Sequence, residues 1–177
     1  LAVAPYHVDA LLPEDTPDYI QTAYQSLHYH AITTVYLRYA QAVKLPAPLT
    51  GFSDGTAQWV LHRGALGLPD NEVAVVISVS DCTEAWKDKD LAEKAHADIK
   101  RICPDLGKPE AVRIITEKRA TTAATVDFVQ PDFSWLHHRR IYPAGDYLHP
   151  RYPATLEAAV QSGFAAAEKL MLDLQVE

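Results

Sequence analysis

The spacing of apolar positions divides the chain into strand-like and helix-like stretches. Leu1-Ala2-Val3-Ala4 reads as the end of a buried strand, and residues 5–12 as one short helix. Thr16-Pro17 supplies an N-cap followed by proline, predicting a second helix to about Leu27. From Ile32 to Tyr39, residues Thr33, Val35, Leu37 and Tyr39 fall on one side and Thr34, Tyr36 and Arg38 on the other. That period of two, rich in β-branched and aromatic residues, predicts a strand with one polar-tolerant face. Gly51-Phe52-Ser53-Asp54-Gly55 is a tight turn signal, so residues 58–62 should return as a strand. Val73 to Ser80 is almost continuously apolar, the signature of a central strand covered on both faces.

Residues 88–103 carry Leu91, Ala92, Ala95, Ile99 and Ile102 at helical spacing, and Pro104 ends that helix. Residues 112–119 alternate again as a strand. Residues 127–140 show no period and read as a loop, residues 141–144 as a short strand, and residues 153–172 as a long helix whose first turn carries Pro153. This order predicts an α+β fold with a mostly antiparallel sheet and flanking helices. The boundary is expected near 135, dividing residues 1–135 from residues 136–177.

Composition narrows the function classes. At 177 residues and 48% apolar, the chain reads as a globular domain large enough for a real core, and neither disorder nor a membrane span is expected. Its net charge of -7 opposes the phosphate attraction behind most nucleic-acid binding. The one basic cluster, His137-His138-Arg139-Arg140, reads as a solvated turn. Cys82 and Cys103 fit no Cys-x-x-Cys pattern and read as reduced thiols. His28-x-His30 and His137-His138 lack the third and fourth ligands that a metal site needs, so no metal is expected. No nucleophile motif is present, and seven glycines form no Gly-x-Gly-x-x-Gly phosphate turn. No catalytic residue can be named.

The chemistry-bearing stretch is Tyr142-Pro143-Ala144-Gly145-Asp146-Tyr147, followed by Tyr152-Pro153-Ala154-Thr155-Leu156-Glu157. Small residues Ala158, Ala159, Ser162, Gly163 and Ala166 would permit close approach along the helix that follows. A helix N-terminus suits an electron-rich group because its first amides lack intrahelical partners. By composition alone, a helix packed by alanine on the sheet accounts for the same residues.

This stretch resembles the C-terminal flavin-contacting motif of the amine oxidase and phytoene desaturase flavoprotein superfamily. Tyr29 to Leu37, Asp54-Gly55-x-x-Gln58-Trp59, Val75 to Ser80 and Glu117-Lys118-Arg119-Ala120-Thr121 extend the resemblance to its squalene-associated branch, the hydroxysqualene dehydroxylases of bacterial hopanoid synthesis. The resemblance implies part of the substrate domain of that fold, plus a C-terminal strand and helix from the FAD domain. It implies FAD as cofactor, with Gly145, Asp146, Tyr147, Pro153, Ala154, Thr155 and Leu156 contacting it, Asp146 at the ribityl or diphosphate region. Tyr36, Phe52 and Trp59 become cavity walls for a polyisoprenoid substrate of hydroxysqualene, squalene or phytoene type.

The missing phosphate turn departs from the family pattern. It predicts a C-terminal fragment whose partner is an absent N-terminal half, inactive alone, not expected to retain FAD, and able to self-associate. The resemblance further implies a bacterial cytoplasmic enzyme and leaves open peripheral contact with the inner membrane face. The competing reading is a stand-alone, non-catalytic α+β module that holds an apolar ligand or a protein partner.

Overall fold

A computed structural model describes residues 1–80, 88–126 and 132–175. The fold is α+β, and the chain forms two compact units, residues 30–121 and residues 1–29 with 122–177. The division therefore does not follow the expected 135/136 boundary. Residues 1–29 join the C-terminal region because Val8, Ile20, Tyr24, Leu136 and Tyr147 share one core.

The 30–121 unit is built on a five-stranded sheet in the order β2-β3-β4-β1-β5. Its strands are β1 (Tyr29–Arg38), β2 (Leu49–Gly51), β3 (Trp59–His62), β4 (Glu72–Ser78) and β5 (Ala111–Thr122). β4 runs antiparallel to both β1 and β3, with Val35 and Val60 each opposite Val75. All three valines are fully buried, so the alternation in β1 was a true record of burial. Helix α2 (Asp88–Lys100) lays Leu91, Ala92, Ala95 and Ile99 against that face. Ile102 lies beyond the helix end and is partly exposed, although its spacing fits the apolar stripe.

β4 is central as expected, but its second face is less sealed than an apolar run suggests. Ala74 is buried and Val76 is half-buried, and among the described residues no α-helix of this unit covers them.

Gly55-x-x-Gln58-Trp59 is explained by local structure. Asp98, on α2, accepts hydrogen bonds from the backbone N–H groups of Thr56 (2.7 Å) and Ala57 (2.8 Å). Gly55 has φ +101° and faces the same carboxylate, which leaves no room for a β-carbon. Gln58 Nε2 donates to the Ser78 carbonyl (3.0 Å), and its Oε1 accepts from Ser78 N–H (2.9 Å). A side-chain amide thus imitates one more ladder pair between β3 and β4.

The other unit departs more from the expected elements. Leu1 to Ala4 forms no strand; the Leu1 nitrogen donates to Tyr142 O (2.7 Å) and Leu1 O accepts from Ala144 N–H (3.0 Å). Residues 141–144 likewise form no strand, because these bonds are too few to make a ladder. In place of one helix over 5–12 there are two 3₁₀ turns, Pro5–His7 and Asp9–Leu11. Pro13 then holds Leu12 extended, as proline does to its predecessor.

Helix α1 (Asp18–Gln25) has Pro17 at its N-cap, while the Thr16 hydroxyl turns back to the Pro13 carbonyl (2.6 Å) and does not cap. Within the expected 127–140 loop, helix α3 (Ser134–His138) forms; residues 127–131 lie outside the described residues. Asp132 Oδ1 accepts from Ser134 N–H (2.9 Å), and Leu136 is fully buried. Five residues are too few to display a period. In the basic cluster, His137 and His138 end α3, while Arg139 and Arg140 form an exposed turn as expected, with Arg139 paired to Asp15 and stacked over Trp135 at 4.6 Å. That partnership holds the Asp15 carboxyl below its usual range.

The last helix, α4, spans Leu156–Gln175 and begins three residues later than expected. Ala154 has φ +60°, a left-handed conformation that a helix cannot continue through. Thr155 supplies the cap, its Oγ1 accepting from Ala158 N–H (3.1 Å). Pro153 therefore stands outside the helix.

Candidate functional site

The segment from Gly145 to α4 is a loop closed on itself. Asp146 opens a 3₁₀ turn, Asp146–Leu148, and its carbonyl accepts from Ala154 N–H at 3.1 Å. Gly145 N–H donates to Ser162 Oγ (2.9 Å), which ties the loop to the first turns of α4. A β-carbon on Gly145 would stand 2.7 Å from Tyr147 Cδ1, so glycine is required by the close approach of that ring. Tyr147 is buried; its hydroxyl donates to Tyr24 OH at 3.4 Å, and the two rings meet edge to face at 6.0 Å. Burial, with the neighbouring Tyr24, raises the Tyr147 phenol above its ordinary range.

What this anchoring presents is specific. The Asp146 carboxylate is half-exposed and makes no hydrogen bond or ion pair among the described residues. Because Thr155 satisfies only the Ala158 amide, the Leu156 and Glu157 N–H groups at the head of α4 also have no partner among the described residues. Beside them Leu156 is 89% exposed, Val160 54% and Phe164 67%. Ala158 alone among α4 residues is buried, so the small-residue stripe is only partly used as packing.

The structure therefore brings Gly145, Asp146, Tyr147, Ala154, Thr155 and Leu156 into one loop-and-helix assembly, with Pro153 on its exposed side. Gly145 and Tyr147 act as its internal supports, whereas Asp146 and the Leu156 and Glu157 amides point polar capacity outward. Ser162 is the support that sequence reading placed only among small residues. A free carboxylate can accept from a ribityl hydroxyl, and free amides can face the electron-rich edge of a flavin ring. The donor and acceptor set fits a flavin.

The candidate cavity residues separate. Phe52 packs on the α2-covered core, as Leu45, Cys103 and Ile114 also do. Tyr36 and Trp59 share the opposite face, because Tyr36 pairs with Ala74, Ala74 with Leu61, and Trp59 with Val76. Trp59 is 47% exposed and its ring lies over Gly51, where an added β-carbon would be 3.0 Å from Cζ3. On the covered side, Tyr39 OH meets His96 Nδ1 at 3.1 Å. Burial raises that phenol; burial, then Lys100 and Lys108, lower the imidazole. Cys103 is a free thiol whose Sγ donates to Lys44 O, while Cys82 lies outside the described residues. Among the described residues no helix is long and apolar enough to cross a membrane.

Comparison with known proteins agrees with this architecture. Residues 1–171 match the model of the flavin containing amine oxidoreductases. A hydroxysqualene dehydroxylase from Rhodopseudomonas palustris is 31% identical over 176 residues, which is 97% of this chain and 38% of that protein. Another from Zymomonas mobilis is 26% identical, over 95% of this chain and 37% of that protein. The chain thus spans well under half the length of these curated relatives. A solved protoporphyrinogen oxidase-type protein from Exiguobacterium sp. 255-15 shares the fold, with TM-score 0.61 at 17% identity over 95% of this chain and 40% of that one. The match over residues 1–171 shows that the chain belongs to the flavin containing amine oxidoreductase family.

Proposed function

We propose that this chain is part of a longer FAD-dependent oxidoreductase that acts on a long polyisoprenoid of the hydroxysqualene, squalene or phytoene type, in hopanoid or carotenoid synthesis. The observation that carries this reading is the alignment of two hydroxysqualene dehydroxylases along 95% and 97% of the chain. When bound, the flavin supplies two-electron redox chemistry, and the protein supplies orientation, an apolar surface and electrostatics.

Each residue of the loop-and-helix assembly has a role in this reading. Asp146 accepts a hydrogen bond from the ribityl or diphosphate region. The Leu156 and Glu157 amides face the pyrimidine edge, where the positive end of α4 favours accumulated negative charge. Gly145, Ser162 and Tyr147 hold that loop at fixed height over the helix. Tyr36 and Trp59 give the apolar chain a surface on the uncovered sheet face. The exposed apolar residues of α4, Leu156, Val160 and Phe164, pack against the rest of the longer chain.

By itself the 177-residue chain is proposed to be inactive and to hold FAD no tighter than high micromolar, since it has no Gly-x-Gly-x-x-Gly turn for the diphosphate. The test is to express a protein of the relatives' full length and incubate it with FAD, a reductant and hydroxysqualene. Product with the mass of squalene supports the reading. A protein that retains FAD yet leaves hydroxysqualene, squalene and phytoene unchanged would overturn it.

A further inference from the structure

Three arginines meet on the uncovered face of the sheet. Arg38 ends β1, Arg63 follows β3 and Arg113 lies in β5, and together with Tyr36 and Glu72 they line a cavity of about 320 Å³. Arg63 is held from two sides: its Nη1 lies 3.1 Å from Glu72 Oε2, and its guanidinium carbon lies 5.2 Å from the Tyr36 ring centre. Glu72 also stands opposite Arg38 across the β1–β4 ladder, yet one carboxylate offsets only one of three cations. The Arg38 and Arg113 guanidinium groups make no hydrogen bond or ion pair among the described residues. Glu110, adjoining at the head of β5, reaches Arg38 through its backbone N–H (2.7 Å), and its carboxylate does not line the cavity. The cavity thus carries a formal charge of +2 on a chain whose net charge is -7.

The same face turns apolar away from that corner. Thr33 and Thr116 meet through their hydroxyls at 2.8 Å on the covered side, so Arg113 and Ile115 lie on the uncovered one. Along β1 the rows run from Arg38 and Tyr36 to Thr34, whose ladder neighbours are Val76 and then Trp59. Trp59 and Ile115 are 47% and 45% exposed. From the Arg38 row to the Trp59 row is four residues, about 13 Å of strand. A cationic corner therefore adjoins an apolar strip on one continuous surface.

We propose that this corner binds the phosphate head of a single-chain isoprenoid phosphate, with its hydrocarbon tail lying over Ile115 and Trp59. Phosphate suits it because guanidinium forks pair with phosphate oxygens, and two uncompensated cations match a dianion where a carboxylate would leave one unmatched. That the tail is isoprenoid rests on the proposed function; that the head is anionic rests on the arginines alone.

The experiment is calorimetric titration of the 177-residue chain with farnesyl monophosphate, farnesol, inorganic phosphate, and phosphatidylcholine vesicles containing phosphatidic acid. Farnesyl monophosphate should bind one to one, at least tenfold tighter than farnesol. The exposed changes Arg38→Ala and Arg113→Ala, with folding verified by circular dichroism, should each weaken it roughly tenfold and leave farnesol binding unchanged. Equal affinity for farnesol and its phosphate overturns the anion site and leaves the isoprenoid reading standing. Binding of inorganic phosphate with no gain from the farnesyl chain overturns the amphiphile and counts against the isoprenoid reading as well. Binding to the vesicles alone assigns the corner to a lipid surface and overturns the single-chain ligand.

Discussion

Replacing Asp98 by alanine should be among the most damaging single changes in the 30–121 unit, although Asp98 is far in sequence from the turn it supports. Its carboxylate accepts from Thr56 N–H and Ala57 N–H at 2.7 and 2.8 Å, and Arg101 Nη1 lies 3.7 Å from its other oxygen. The side chain is 11% exposed, and Ala57 is 1% exposed, so water cannot replace the carboxylate at the Ala57 amide. Hydrogen bonds to charged groups contribute about 1.5–3 kcal/mol each, and a stranded buried donor costs about 1–3 kcal/mol. The Thr56 amide is less buried and recovers part of its loss through solvent. Arg101 keeps Asp54 at 2.7 Å, so its ion pair adds little.

The net expectation for Asp98→Ala is a loss of about 3–5 kcal/mol, a large share of the roughly 5–15 kcal/mol that stabilises a domain. Asp98→Asn keeps one oxygen that can accept from both amides, but it loses the charge and turns an NH₂ toward Arg101, and should lose about 2 kcal/mol. Urea unfolding followed by circular dichroism measures both, and amide exchange at Thr56 and Ala57 localises the effect. A loss below about 1 kcal/mol for Asp98→Ala with an unchanged urea slope would refute the reasoning, because the two amides would then have found other partners.

Gly55→Ala should cost more than Gly67→Ala in the same assay. Both have positive φ, worth about 1–2 kcal/mol for alanine, but only at Gly55 would the new carbon meet a fixed group, 2.7 Å from Asp98 Cγ. Gly145→Ala should displace the Tyr147 ring and shift its near-ultraviolet circular dichroism signal, while Gly163→Ala, with open space around it, should leave that signal unchanged. Stability should fall as pH drops from 7 to 5. His96 and His137 both have folded pKa values below 6.5, chiefly from burial, so the unfolded chain takes up protons first. Asp15 and Asp173 lose their contribution only below the carboxylate range, outside that window. Urea midpoints at pH 7, 6 and 5 check the slope, and His96→Gln should flatten it. In a full-length, flavin-loaded protein, Asp146→Ala should weaken FAD roughly tenfold to a hundredfold by equilibrium dialysis, from the loss of one charged hydrogen bond; unchanged affinity would remove Asp146 from the cofactor contacts.

Elements whose burial follows their own period were legible in the residues alone. β1, and α2 as far as Ile99, bury the positions that their spacing assigns, because alternation and helical spacing are local records of which side faces apolar neighbours. The flavoprotein resemblance was legible for a similar reason, since Gly145-Asp146 and Thr155-Leu156 lie close in the chain and form one loop-and-helix assembly. Elements held by few or distant bonds were not legible. Residues 141–144 share two backbone bonds with Leu1, too few for a ladder, α3 is too short for a period, and the head of α4 is set by the left-handed Ala154 and the Thr155 cap. The strand order, the clasp of Asp98 on Thr56 and Ala57, and the meeting of Arg38, Arg63 and Arg113 exist only after folding. A linear pattern records which face of an element is apolar, but which charges end up together depends on register and strand order, and these come from packing between segments tens of residues apart.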